Sequence, residues 1–211
     1  LDKLYHIAER TRKKDDERMR FPMTESPFLQ LVRERRSVRA FDPDRPVPGA
    51  VLDHMLEAAR LAPSSNNTQP WHFVVVRDPE ALRKLATAAP AGASINRWMK
   101  TAPAVIVCCG QPNLLAHTAM GQLVDKNWFI MDIAIAVEHM VLAAREQGAG
   151  TCWVGWYDEK KVRRIVGAPR TARIAALLPV GYPKAGKWPP AKKRKPLDQI
   201  VSWERFGQSQ A

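Results

Sequence analysis

The sequence predicts a single domain of the α+β or α/β class. Three observations lead there. Apolar residues recur at helical spacing in several segments, β-rich runs stand apart between those segments, and no internal repeat joins them into a solenoid. With 211 residues, 45% of them hydrophobic, the chain is long enough to bury one proper core.

The elements follow in order. Residues 1–20 carry a weak stripe of Leu1, Leu4, Tyr5 and Ala8 in charged sequence, and Phe21 to Pro27 reads as a linker. Residues 1–27 are therefore expected to form an N-terminal arm, and 28–211 the domain. Phe28 to Arg35 places Phe28, Leu31 and Val32 on one helical face. Pro46 and Pro48 lead into a helix from Gly49 to Leu61, which Pro63 stops. His72 to Val76 is a β-rich run, and Pro79 opens a short helix through Ala88. Pro103 introduces a second strand, AVIVCC. A long helix covers Asn127 to Gln147 and ends at Gly148 and Gly150. TCWVGW is extended, Asp158 caps a helix through Val166, and Ala172 to Val180 is a third strand. Ile200 and Val201 are expected to add a short last strand.

The long helix is apolar on almost every side, through Ile130, Met131, Ile133, Ala134, Ile135, Val137, Met140 and Val141. Such a helix must be covered all round, which in a small chain points to a subunit interface.

Composition removes several function classes. The most apolar run, Trp128 to Ala144, is broken by Asp132, Glu138 and His139, so a membrane span is not expected. The N-terminus lacks a charged-then-apolar signal pattern. Cys108, Cys109 and Cys152 are odd in number and lack CxxC spacing, which argues against a disulfide framework and against a structural metal site. A reducing cytoplasm is the expectation. No GxGxxG follows a first strand, and no GxxxxGK[ST] is present, so the dinucleotide-fold and P-loop routes to phosphate are unsupported.

The net charge of +12 is concentrated. Lys160 to Lys195 holds twelve Lys and Arg and no Asp or Glu, and the remainder is balanced. Such a patch suits a phosphate, another anion or nonspecific nucleic acid, against the plainer reading of a solvated basic face.

Four segments bear on chemistry. RRSVR, Arg35 to Arg39, offers forked guanidinium donors and a hydroxyl to a phosphate, although basic pentapeptides usually just face solvent. APSSNNTQPW, Ala62 to Trp71, packs six small polar side chains between two prolines. Ser64, Ser65, Asn67 and Gln69 suit the rim of a planar polar-edged heterocycle; the alternative is a helix end bonded to its own side chains. GAGTCWVGW permits close backbone approach through its glycines. KKRKPL, Lys192 to Leu197, is a second phosphate-sized cluster.

Together these segments resemble the nitroreductase family of flavoproteins. The matching pattern is RRSVRAF, LEAARLAPSSNNTQPWHFVVV, APAVIVCC, GAGTCWVG, GYP and KRKPLDQIV, running from about Phe28 to Trp203. In the family frame, Met23 is the expected start. The resemblance implies an α+β three-layer fold, with a central mixed, mainly antiparallel sheet flanked by helices, in an intertwined homodimer that binds FMN at the subunit interface.

It also implies roles. Arg35, Arg36 and Ser37 would meet the FMN phosphate or ribityl chain. Arg39 would lie at the N1–C2=O edge, where a fixed cation stabilises the reduced form. Asn67 would reach the pyrimidine edge, with Ser64, Ser65 and Gln69 around it. Val154 and Gly155 would present backbone amides to N5 and O4. Lys193, Arg194 and Lys195 would close over the phosphate. No catalytic side chain is nominated, because the redox step belongs to flavin N5. The five histidines read as structural, and Trp98, Trp128 and Trp156 as either substrate-face or packing residues.

The implied activity is ping-pong: NADH or NADPH reduces FMN and leaves, and a nitroaromatic, quinone or similar electron-poor acceptor follows. The same scaffold supports flavin fragmentation, reductive dehalogenation and dehydrogenation. A reading of another class, nucleic-acid binding through residues 160–195, lacks a recognised module.

Overall fold

The computed structural model describes residues 26–90, 94–111, 128–186 and 188–208. The expected arm over 1–20 and nearly all of the linker lie outside the described residues. Helix α1 spans Pro27–Glu34 and α2 spans Gly49–Arg60. Strand β1, Trp71–Val76, precedes α3, Pro79–Ala86, and β2, Ala104–Gly110. The long helix α4, Trp128–Glu146, leads to the two-residue β3, Gly150–Thr151. Helix α5, Glu159–Val166, and β4, Arg173–Gly181, complete the domain. The class is α+β, as the resemblance implied.

The sheet order is β1-β2-β4-β3, and every strand pair is antiparallel. The parallel component of the expected mixed sheet is an isolated bridge between Ser37 and Thr151. Strand β2 is buried at every position because helices cover both of its faces. Ala104, Ile106 and Cys108 face α2 and α4, whereas Val105, Val107 and Cys109 face α3 and α5. A bulge between Cys108 and Cys109 leaves Ala175 of β4 without a direct partner. The alternation slips there, so Ala176 and Leu178 sit on one face and Ile174 on the other.

Local chemistry sets the helix ends. The carboxylates of Asp78 and Asp158 accept the amides of Ala81 and Lys161 and cap α3 and α5. Gly167, at φ 66°, ends α5 in the left-handed conformation. Helix α3 stops at Ala86, short of the expected Ala88, where the Thr87 hydroxyl bonds back to Arg83 and Lys84.

One expected element is absent among the described residues. The last strand at Ile200 and Val201 does not form; Leu197–Gln199 makes one tight helical turn, and the side chains from Leu197 to Phe206 are exposed. The segment pairs with no strand among the described residues. Helix α4 is not covered all round by its own chain: Ile130, Met131 and Ile135 stay exposed, at 44%, 59% and 40%.

Candidate functional site

After α1 the chain straightens at Arg35 and runs beside β3. The Val38 amide donates to the Thr151 carbonyl at 2.9 Å, in line with the Ser37–Thr151 bridge. Val38 is buried and faces Gly150, where an added Cβ would lie 2.5 Å from Val38 Cγ2. Phe41 is fully buried and bridges Pro183. These anchors fix the RRSVR backbone and leave Arg39 exposed.

The Cys152 thiol reports what converges at this edge. Burial pushes it above the ordinary thiol value, while Arg39, a hydrogen bond with Ser37, Arg35 and Lys192 pull it back down. Three cations and a hydroxyl from two separate segments, RRSVR and the tail, thus act on one buried thiol. Glu138 of α4 adds a further neighbour: desolvation raises its carboxyl, and Arg35 and His139 lower it. Arg36 differs from its neighbours, because its guanidinium turns back onto the carbonyls of Arg33 and Arg35 at the end of α1.

The polar loop is a self-bonded knot. Asn66, Asn67 and Gln69 all take left-handed backbone, at φ 50°, 54° and 45°. Non-glycine residues rarely do so, and such strain gathers at functional sites. Ser64 Oγ accepts the Gln69 amide at 2.9 Å, and Gln69 Nε2 donates to the Asn67 carbonyl and side-chain oxygen at 3.4 and 3.3 Å. Ser64 and Gln69 therefore hold the loop's shape, and the Asn67 amide sits on its exposed rim. Asp132 of α4 anchors the knot through Oδ1, which accepts the Ser65 amide at 3.1 Å. Asp132 is buried, and its Oδ2 has no hydrogen-bond partner among the described residues.

One expected donor is already committed. The Val154 amide donates to the Leu177 carbonyl at 2.9 Å and the Leu177 amide returns the bond at 3.0 Å, so Val154 serves the sheet. The Gly155 amide has no such partner among the described residues, and an added Cβ would meet nothing within 4 Å. In the tail, Trp188 packs against the Val38–Phe41–Ala102 cluster and lies 4.2 Å under the Arg145 guanidinium. Lys193, Arg194 and Lys195 follow it on the surface, and Lys192 is the tail cation that reaches Cys152.

Sequence reasoning missed Asp132, Thr151 and Lys192. Asp132 left a signal, since it is the acid that interrupts the apolar helix near its start. Lys192 belonged to the quoted KKRK run. Thr151 acts through its backbone and left none.

The model of the nitroreductase family matches residues 32–182. The chain belongs to that family. A Thermus thermophilus protein named NADH dehydrogenase is 34% identical over 196 residues, covering 81% of this chain and 92% of the relative. Human iodotyrosine deiodinase 1 is 33% identical over 199 residues, covering 82% of this chain and 67% of the relative. The solved structure titled FMN-dependent nitroreductase from Clostridium difficile R20291 has a TM-score of 0.70 at 26% identity, covering 84% of this chain and 99% of that one. No helix among the described residues is long and apolar enough to cross a membrane.

Proposed function

We propose that this nitroreductase-family chain is an FMN-dependent oxidoreductase that takes a hydride from NADH or NADPH and passes it to an electron-poor acceptor such as a nitroaromatic or quinone. The observation that carries the reading is the convergence of Arg35, Ser37, Arg39 and Lys192 around Cys152. Cations and a hydroxyl from distant segments suit a phosphate and an anionic ring edge. The donor set fits FMN. Bound FMN supplies hydride acceptance and donation at N5. Arg35, Ser37 and the tail cations would hold the phosphate end, Lys192 joining Lys193, Arg194 and Lys195. Arg39 would place positive charge at the N1 edge. Asn67 would meet the pyrimidine edge from the rim that Ser64, Ser65 and Gln69 build. Gly155, rather than Val154, would offer the backbone amide near N5. Arg36 would contribute charge from its place at the end of α1.

The domain from 28 to 211 would be the flavin-binding unit, with 1–27 as its arm. Two copies would complete the site. The exposed Ile130, Met131 and Ile135 of α4 and the exposed apolar tail supply the surface for that contact. The absorbance spectrum of the purified protein, taken without air before and after NADH or NADPH, tests the proposal. A flavin spectrum that bleaches is expected; a protein that cannot be loaded with FMN overturns it.

A second reading, reductive dehalogenation of a halogenated phenol, has its own support in the identity to human iodotyrosine deiodinase 1 over 82% of this chain. Iodide release from iodotyrosine by the reduced, FMN-loaded protein separates it from the first.

A further inference from the structure

The cation-rich helix α5 is not used by the flavin reading. It packs through Val162 on the sheet face away from α4. At its C-terminal end an open pocket of about 740 Å³ is lined by Lys160, Arg163, Arg164, Gly167, Ala168 and Arg170. Four of these six residues are cationic and none is acidic.

The wall of this pocket is fixed. Arg163 bonds Glu159 at 2.7 Å and the Ala172 carbonyl at 3.1 Å, which ties the helix to the turn beyond it. The turn is closed by the Ala172 amide on the Pro169 carbonyl, and the Ala168 amide bonds the Arg163 carbonyl. Glu159 Oε1 also accepts from Arg173 and from the Ile174 amide, so this one oxygen takes three bonds. Arg163 Nε is buried without a hydrogen-bond partner among the described residues. Lys160, Arg164 and Arg170 have no carboxylate within ion-pair range among the described residues.

A helix dipole accounts for only part of this. It favours Arg163 and Arg164 in the last turn, but it disfavours Lys160 in the first turn and does not act on Arg170 beyond the helix. Lys160 and Arg164 are also four residues apart on one helix face, a like-charge spacing that costs helix stability. An anion bound by Lys160 and Arg164 would offset their like-charge repulsion.

We propose that this pocket is a second anion site, separate from the flavin site, for a multiply charged phosphate group. The Arg164 and Arg170 guanidiniums match phosphate oxygens in forked geometry, Lys160 adds a point charge, and Arg163 lends its charge while bracing the wall. No aromatic side chain lines the pocket to stack a base, so the phosphates are recognised and the remainder of the ligand is not. Inorganic tripolyphosphate and the phosphate tail of a nucleotide share this chemistry.

The test is calorimetric titration of tripolyphosphate into the full chain at about 150 mM salt, where long-range surface attraction is screened. Excess FMN is present to occupy the other cationic cluster. One saturable site per chain is expected. Arg164→Glu/Arg170→Glu should weaken it at least about tenfold, the scale of losing charge-assisted bonds. Lys193→Glu/Arg194→Glu should leave it intact. Arg163 is kept because it braces the turn, and Lys160→Ala provides a milder variant with the same expected direction. A nucleoside triphosphate that matches tripolyphosphate, against a monophosphate that does not bind, identifies the phosphate tail as the recognised part. Absence of saturable binding overturns the proposal, as does loss of binding in the tail variant alone. Duplex DNA that binds through Arg164 and Arg170 while tripolyphosphate does not would overturn it in favour of a nucleic-acid surface.

Discussion

Asp132 on α4 holds the Ser65 amide at 3.1 Å, and through it an exposed loop with three left-handed residues is fastened to the core. The strain in Asn66, Asn67 and Gln69 persists because bonds at both ends of the loop determine its shape. Pro70 closes the far end, where its carbonyl accepts the Gln111 amide at 2.8 Å.

Removing that carboxylate tests the anchor. Asp132→Ala should destabilise the fold by about 1–3 kcal/mol, the cost of leaving a buried donor unpaired. Asp132→Asn keeps an acceptor for Ser65 and removes a buried charge, so it should stay within about 1 kcal/mol of the parent. Urea unfolding of both variants checks the order, and equal losses would show that the charge, rather than the acceptor, matters.

Gly150 is a packing glycine. Its missing Cβ would lie 2.5 Å from Val38 Cγ2 and 3.0 Å from Val38 Cβ, at the joint that positions Ser37 against Thr151. Gly150→Ala should cost about 1–3 kcal/mol as an overpacked core site. Adding Val38→Ala should recover part of that loss. A double variant no more stable than the sum of the two singles would rule out the clash as the cause.

The buried thiols make stability fall in alkali. Burial raises Cys109 to about 11, lifts Cys108 further and raises Cys152. An unfolded thiol titrates near about 8.5. The unfolded state therefore gives up protons first as pH rises, so the contribution to stability is complete below about pH 8.5 and drains away above it. For Cys109 the loss extends to about pH 11. Denaturation midpoints from pH 7 to 10 should decline, and Cys109→Ala should flatten the decline. A parallel curve for that variant would assign the loss to other groups.

Much of this architecture was legible in the sequence, and what was not has physical causes. The prolines at 48, 63, 79 and 103 punctuate the helices and strands, so those elements lay close to their observed bounds. The RRSVR, SSNNTQ and TCWVG segments stood out by side-chain type. Their internal bonding did not, because Val154 pairs with Leu177 through backbone alone and Arg36 is diverted by the nearby end of α1. The strand expected at Ile200 and Val201 rested on β-branched side chains, which find no pairing strand among the described residues.

Arg39→Ala addresses the flavin reading directly. Arg39 is exposed, its backbone is held by the bonds around Val38 and Phe41, and its charge already acts on Cys152. The substitution should leave the fold intact and slow flavin reduction by NADH or NADPH about tenfold or more, on the scale of a lost charge-stabilising donor. Stopped-flow absorbance on the FMN-loaded variant measures this. Unchanged reduction with FMN still bound would remove Arg39 from the N1 edge.

The exposed stripe on α4 yields the last prediction. Ile130, Met131 and Ile135 are large apolar side chains on a helix whose opposite side is fully packed. A single chain gains nothing by exposing them, whereas burial against a second copy is worth roughly 25 cal/mol for each Å² covered. Light scattering should therefore find a dimer, and Met131→Glu/Ile135→Glu should shift it towards monomer by placing charges in an apolar contact. If the flavin site is shared, the same variant should also lose FMN. A monomeric variant that retains FMN at parental affinity would separate assembly from cofactor binding and confine the site to one chain.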